Sequence, residues 1–551
     1  MIKKISSLLR HVLAGLCALQ AIHGVAVTPN VDAGSLLHQN EQELKITKPL
    51  ALPTVPIAQP SMPTSEGGAT VEVRKFEFAG NNRIGNKQLS EALADYVNKP
   101  LTLTQLKDAS NTVMNVYREA GWIARAYLPK QEIADGTVFI QIVEAVFGDA
   151  VIEGDQPQRI DTQRLRGMVA SVLPKGQVIQ SSKVDRALLL MDDLPGVSVI
   201  GNLTPGDQVG ETHLLISATD DPLVTGTVVM DNQGSQSTGT ERLSLNLNFN
   251  SPSRMGDALS LNALKTEGSE YLRLSYSLPL GYSGWRVGLH GSNMNYEVIS
   301  GSISSTKANG TATTSGWDIS YPLVRSQLSN INWAMSYDHK AFDNSPSNLI
   351  YSINTFNTVL SANQIDNWAG GGMNSQILSV TTGRSSKDGR YSKLNLNASR
   401  LQSLTAEWSM LATGGAQFTQ NNLDSSEKLF LGGATGVRGY PSGEAGGSEG
   451  NTFSLELKRR ITNELALGAF YDYGRVKVNH DNNLFSPANP NSFGLKAYGF
   501  ALDWQFKPTV ELKTTVSRRI GSNPLAVNYN GNDSDGTLKQ TRLWVSVTVA
   551  F

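Results

Sequence analysis

From Leu223 to the C-terminus the chain alternates apolar and polar residues with a period of two, and this pattern restricts the fold more than any other feature. Leu243, Leu245, Leu247 and Phe249 alternate with Ser244, Asn246 and Asn248. Trp317, Ile319, Tyr321 and Leu323 repeat the pattern, as do Tyr498, Phe500, Leu502, Trp504 and Phe506. Successive side chains of a strand point to opposite faces, so each run presents one wholly apolar face. Sixteen such runs start near positions 223, 241, 256, 270, 284, 313, 331, 350, 373, 391, 404, 451, 464, 496, 509 and 541. Each is about 9–15 residues long, enough to cross a bilayer when tilted. Connections after even-numbered runs are mostly short, as at 251–255, 402–403, 461–463 and 507–508. Those after odd-numbered runs are mostly longer, up to about thirty residues after the eleventh. An even strand count with short turns at one end and long loops at the other predicts an outer-membrane barrel over residues 221–551. Closure is required because lipid cannot satisfy an unpaired sheet edge. A soluble all-β domain would need a second sheet to cover the same rows of Leu, Trp and Tyr.

Composition fits an apolar surface. Charged residues make up 17% of the chain and hydrophobic ones 40%, against roughly 25% charged in an ordinary soluble domain. No window of ~20 uninterrupted apolar residues exists beyond the N-terminus, which argues against helical membrane spans. The net charge of −1, from 47 Lys+Arg and 48 Asp+Glu, gives no reason to expect a nucleic-acid partner.

Residues 1–26 read as a secretory signal: Lys3, Lys4 and Arg10, then an apolar stretch from Val12 to Ile22, then Gly24 and Ala26 at a cleavage site. Cys17 is the only cysteine and follows Leu16, where lipidation would need a small residue. The mature chain therefore offers neither a disulfide framework nor thiol catalysis.

Residues 27–69 hold two parts. Residues 32–45 form a mostly polar helix capped by Asp32, with Leu36, Leu37 and Leu44; composition alone makes it a solvated helix. Residues 48–68 carry Pro49, Pro53, Pro56, Pro60 and Pro63 and read as an extended, semi-rigid linker. Residues 70–145 then switch to a compact α+β pattern. Val71, Val73, Phe76 and Phe78 mark a strand, Leu89, Leu93, Tyr96 and Val97 a helix, and a second helix is capped at Thr104. Strands at 123–128 and 137–144 follow, turning through Asp135-Gly136. Residues 146–220 repeat the same β-α-α-β-β order, with a helix opened by Asp161 and another running from Ser182 to Leu194. Two copies at a period of about seventy residues are a structural repeat, each a three-stranded sheet with a helix pair on one face.

Two short motifs stand out in the barrel region. Val437-Arg438-Gly439-Tyr440 lies in the long loop after the eleventh run, the sixth outside loop if both barrel ends are periplasmic. Phe470-x-Asp472-x-Gly474 lies on the thirteenth run. Alternation sends Leu465, Leu467, Ala469, Tyr471 and Tyr473 to lipid, so Phe470, Asp472 and Gly474 face the lumen, where an acidic side chain is tolerated. The last nine residues, LWVSVTVAF, place Leu543, Val545, Val547, Val549 and Phe551 on one face and end on an aromatic residue. The segment LLLMDDLPGVSV, starting at Leu188, closes the second repeat. No catalytic constellation competes: the seven histidines lack metal-ligand spacing, and no serine sits in a nucleophile elbow.

On these four features the chain resembles the TpsB class, the outer-membrane transporters of two-partner (type V) secretion. That class lies within a POTRA–barrel superfamily that also contains the barrel-assembly insertases. The resemblance implies an all-β membrane barrel of 16 antiparallel strands preceded by two small α+β POTRA domains (β-α-α-β-β) in the periplasm of a Gram-negative bacterium. It implies a translocator, not an enzyme, without cofactor or metal. The partner would be a TpsA-like exoprotein bound through its N-terminal secretion domain, whether haemolysin, adhesin or contact-dependent toxin. The barrel-assembly machinery would read Phe551 during biogenesis, outer-membrane lipid would surround the barrel, and the chain would act as a monomer. In the family, the sixth loop folds back into the barrel and its arginine meets the lumenal aspartate. Arg438 and Asp472 would pair in that way, and residues 32–45 would plug the resting pore. As an exposed ion pair this contact would contribute only ~0–1 kcal/mol, so its loss is expected in function and not in stability. An insertase would share the loop motif but typically carries more POTRA repeats; a passive porin would share only the barrel.

Overall fold

The computed structural model describes residues 31–44, 70–133, 135–300, 308–345, 347–481, 490–524 and 532–551. The expected signal segment and the proline-rich linker lie outside the described residues. Helix α1, Ala33–Leu44, comes first. Asp32 caps it, its Oδ1 accepting from Ser35 N–H at 2.8 Å.

The first α+β unit contains strands Lys75–Ala79, Ala124–Tyr127 and Thr137–Glu144, with helices α2 (Asn86–Ala92) and α3 (Leu103–Glu119). Thr137–Glu144 is central, parallel to Lys75–Ala79 and antiparallel to Ala124–Tyr127. Phe76, Leu89, Leu106, Val113, Tyr117 and Ile140 form the core between sheet and helices. Two details depart from the sequence reading. The first strand is split at Arg74, and its leading piece, Thr70–Val73, pairs with an extra strand, Lys99–Thr102. That strand contains Pro100, which an edge position tolerates because no ladder donor is needed there. The cap of α3 is Thr102 and not Thr104: its hydroxyl accepts from Gln105 N–H while Gln105 reaches back to Thr102 N–H. Beneath the helix, the buried Glu144 accepts from Tyr117 Oη at 2.9 Å and Arg83 N–H at 2.6 Å. Burial, with that carboxylate adjacent, pushes the Tyr117 phenol well above its ordinary pKa.

The second unit repeats the arrangement with Val146–Glu153, α4 (Thr162–Val172), α5 (Ser181–Asp192), Val197–Pro205 and Glu211–Asp220. Asp161 caps α4 as read from sequence. Helix α5 stops at Asp192, and the chain turns through Gly196 at φ +90°, a conformation that favours glycine. The two units are joined by backbone bonds, Ile179 N to Ala145 O at 2.8 Å and Ser181 N to Gly121 O at 3.0 Å. The second unit docks on the short-turn end of the barrel. Arg164 donates to the carbonyls of Pro279 and Gly281, and Arg186 to that of Pro322. Arg325 grips Asp193 with two bonds of 2.8 Å.

Among the described residues, sixteen strands from Val224–Asp231 to Thr541–Ala550 close into one antiparallel barrel. Their starts fall within a few residues of those expected from alternation. Burial follows the same period. On Leu465–Lys477, residues 468, 470, 472, 474 and 476 are buried, whereas Leu467 and Tyr471 are exposed on the lipid face. The barrel closes where Ser546 to Ala550 pair with Asp231 to Thr227. Reciprocal backbone bonds between Gly226 and Phe551 extend this pairing.

Candidate functional site

The connection between barrel strand eleven (Trp408–Thr419) and strand twelve (Glu449–Arg460) folds back into the lumen. It turns sharply at its tip: Val437 N–H donates to Leu431 O at 2.7 Å, and Tyr440 N–H to Val437 O at 3.1 Å. Val437 and Tyr440 are fully buried with Leu431, Ala445, Val476, Phe493 and Leu495 in one apolar cluster. That burial fixes the tip against strands thirteen (Leu465–Lys477) and fourteen (Ser492–Lys507). It also aims Arg438 at the wall.

Arg438 meets Asp472 with both carboxylate oxygens, Nε to Oδ2 at 2.9 Å and Nη2 to Oδ1 at 2.8 Å. The Arg438 backbone N–H adds a third bond to Oδ2 at 3.1 Å. This planar two-point contact is available to arginine and not to lysine. The guanidinium lies 3.2 Å from the centroid of the Phe470 ring, a close cation–π contact. The glycines of both motifs are explained by space. A Cβ on Gly474 would fall 2.8 Å from Leu431, and one on Gly439 would fall 2.8 Å from Ala497 and 3.0 Å from the Arg519 backbone. The structure thus brings Val437, Arg438, Gly439, Tyr440, Phe470, Asp472 and Gly474 into one contact. Phe551 lies apart at the barrel seam, 58% exposed.

Three further residues complete the site. Glu456 accepts from Arg438 Nη1 at 2.8 Å, Ser454 Oγ bridges Arg438 and Asp472, and Trp544 Nε1 donates to the Arg438 carbonyl at 2.8 Å. Glu456 was open to the argument that selected Asp472: it alternates with Leu455 and Leu457, which are exposed to lipid. Trp544 carries no such signal, because its contact exists only once the barrel has closed. The pair is also not an exposed one. Asp472 is 1% exposed and the Arg438 side chain 12%, so the interaction belongs to the buried class, where removing one partner is costly. Two histidines have carboxylate neighbours, one set from other strands and one from the same stretch of chain. His290 stands between Asp318 and Asp338, and His213 stands beside Asp207 and Glu211.

Helix α1 lies inside the barrel, toward the long-loop end. Ala33, Leu36 and Leu37 are buried against lumenal Met294, Tyr296, Phe342, Tyr351 and Ile353. Ala33 N–H donates to Asn344 Oδ1 at 2.9 Å, and Asp32 accepts from Ser425 Oγ at 2.8 Å. Ser425 belongs to the rising limb of loop six. Gly34 permits this approach, since a Cβ there would fall 2.6 Å from Ser425 Oγ. His38 faces the Phe430 ring at 5.9 Å, and a Cβ on Gly443 would meet Gln39 at 2.7 Å. Helix and loop therefore pack on each other within the lumen.

Residues 210–497 match the family described as haemolysin secretion/activation protein ShlB/FhaC/HecB, and residues 71–145 match the ShlB-type POTRA domain. The chain is 24% identical over 495 residues to the heme/hemopexin transporter protein HuxB of Haemophilus influenzae, covering 86% of this chain and 85% of that protein. It is 25% identical over 453 residues to the outer membrane transporter CdiB of Escherichia coli, covering 77% and 74%. The solved structure of CdiB from Escherichia coli aligns with a TM-score of 0.69 at 20% identity, over 95% of this chain and 99% of that one. BamA from Haemophilus ducreyi lacking POTRA domains 1-3 aligns with a TM-score of 0.54 at 15% identity, over 88% and 100%. At these identities the two structures speak to fold alone.

Proposed function

The chain belongs to the haemolysin secretion/activation protein family ShlB/FhaC/HecB, and from that premise we propose how it moves its cargo. It is an outer-membrane transporter of two-partner secretion that exports an exoprotein. In the proposed route, the two α+β units engage the unfolded exoprotein in the periplasm through its N-terminal secretion domain. Each sheet has an edge open to strand addition; in the second unit it is Val197–Pro205, where Ile200 is 69% exposed. The chain then enters the barrel, displaces α1, and passes a lumen whose shape is set by loop six. Folding or retention outside supplies the outward bias. We further propose that Arg438 and Asp472 hold the loop, that α1 plugs the resting pore, that Phe551 is read during barrel assembly, and that one chain suffices. No catalytic step enters this route.

The observation that carries the reading is the buried Arg438–Asp472 contact inside the lumen. A passive porin has no use for the tandem α+β units or for the pairing of the 437–440 motif with the 470–474 motif. Deleting residues 71–219 tests the docking role. The deleted form is expected to reach the outer membrane, because both the signal and the last strand remain. Export of its exoprotein should stop, and normal export by the deletion would remove the docking role.

A further inference from the structure

Beyond Tyr440, loop six is held a second time. Glu444 is 0% exposed. Its carboxylate accepts from Asn523 Nδ2 at 3.0 Å and from Ser534 N–H at 2.8 Å. Its carbonyl accepts from Leu431 and Gly432 N–H at 3.1 Å, so the same residue also ties the two limbs of the loop together. Asn523 and Ser534 belong to the connection between strand fifteen (Val510–Arg519) and strand sixteen (Thr541–Ala550). That connection buries Asp533, also 0% exposed. Asp533 accepts from Asn523 at 3.1 Å, Arg519 at 2.6 Å and Arg542 at 3.1 Å. The Arg519 guanidinium in turn lies 5.8 Å from the Tyr440 ring centroid. The chain Glu444–Asn523–Asp533–Arg519–Tyr440 thus runs from loop six into the last hairpin and back. Among the described residues, Arg438, Asp472 and Glu456 form their hydrogen bonds with one another and with a separate set of partners, among them Ser454 and Trp544.

A network this buried is costly to assemble, and a charged group that loses its partner there is penalised far more than one at the surface. Its placement suggests what the geometry is for. Gly443, the neighbour of Glu444, packs on Gln39 of α1, and Ser425 holds Asp32. When α1 leaves, loop six loses those contacts at both limbs. We propose that Glu444 and Asp533 are positioning residues forming a second anchor, one that keeps the loop-six tip in place after the helix has gone. The inference rests on the reading that loop six must stay in the lumen during export.

The test uses the full chain with Ser442→Cys, a half-buried position next to Gly443. The only native cysteine, Cys17, lies in the segment read as the leader. A membrane-impermeant maleimide on intact cells reports how firmly the tip is held. Glu444→Ala and Asn523→Ala should each label roughly tenfold faster, because truncating a hydrogen bond to a buried charge costs at least the ~1.4 kcal/mol that tenfold represents. Glu444→Gln keeps the shape and one acceptor and should fall between. The Glu444→Ala/Asn523→Ala double variant should label more slowly than the product of the two single effects predicts, since the Glu444–Asn523 contact is lost in each. Amounts of folded barrel should not change. Export should fall in Glu444→Ala and fall further when Arg438→Lys is added. Wild-type labelling in both alanine variants overturns the anchor. Loss of folded barrel in both, with Glu444→Gln also depleted, overturns it too, because the cluster would then serve folding. Faster labelling with undiminished export would leave the anchor standing and remove the premise that loop position governs export.

Discussion

Arg438 is charge-balanced by two carboxylates, not one, and this changes what its loss should do. Replacing it with alanine leaves Asp472 buried without a counter-charge, whereas Glu456 keeps Lys458 Nζ at 3.3 Å; breaking a buried pair in this way costs about 3–5 kcal/mol. Replacing Asp472 leaves Arg438 with Glu456 still at 2.8 Å. Arg438→Ala should therefore depress export at least as severely as Asp472→Ala, with Arg438→Lys impaired less because it keeps the charge but loses the fork. The double alanine variant should be no worse than Arg438→Ala, since the Arg438–Asp472 contact is already lost there. Export assays at matched surface levels check the order; wild-type export by both single alanine variants would sink the pair's proposed role. The Arg438–Asp472 contact was legible in the sequence because a motif and a period-two argument pointed at the same residues. Its burial was not, since neither motif says how many side chains close over the tip.

At the scale of elements, period-two runs of nine or more residues located every barrel strand, because many alternating positions average out local exceptions. Short elements escaped the same logic. Thr70–Val73 and Lys99–Thr102 have four residues each, too few for a period to show, and their pairing is set by the fold around them. The α3 cap was placed two residues late because Thr102 and Thr104 both satisfy the capping pattern and only Thr102 has Gln105 three positions on. Helix α1 is the opposite case: composition makes it a solvated helix, whereas Leu36 and Leu37 are buried in the lumen. Removing residues 32–45 should raise single-channel conductance in planar bilayers while export persists, because a helix ~10 Å across obstructs much of a sixteen-stranded lumen. Gly34→Val should give part of that increase without deletion, as its Cβ would collide with Ser425 Oγ. Unchanged conductance in both would return α1 to a passive role.

At the scale of the whole molecule, the seam is the place where the first and last strands must find each other, and its paired stretch is short, Thr227–Asp231 against Ser546–Ala550. Phe551 extends it through both of its backbone groups. Deleting Phe551 should lower the yield of heat-modifiable barrel in the outer membrane several-fold, with the remaining barrels exporting normally; an unchanged yield would make the residue an ordinary strand end. Strand number and orientation followed from sequence, but the docking of the second α+β unit on the barrel did not. Several of its contacts are arginines reaching backbone carbonyls at or beside the short turns, and a backbone carbonyl leaves no mark in a sequence. The position of α1 ahead of residues 45–69 has one more consequence. At ~3.1 Å per residue in extended form, that stretch can span on the order of 75 Å, well beyond the ~25 Å height of an outer-membrane barrel's apolar band. A helix expelled into the periplasm therefore stays on a leash. On the proposed plug role of α1, the tether keeps the effective concentration of the expelled helix high, and the pore is expected to close again after the cargo has cleared without a separate closing partner.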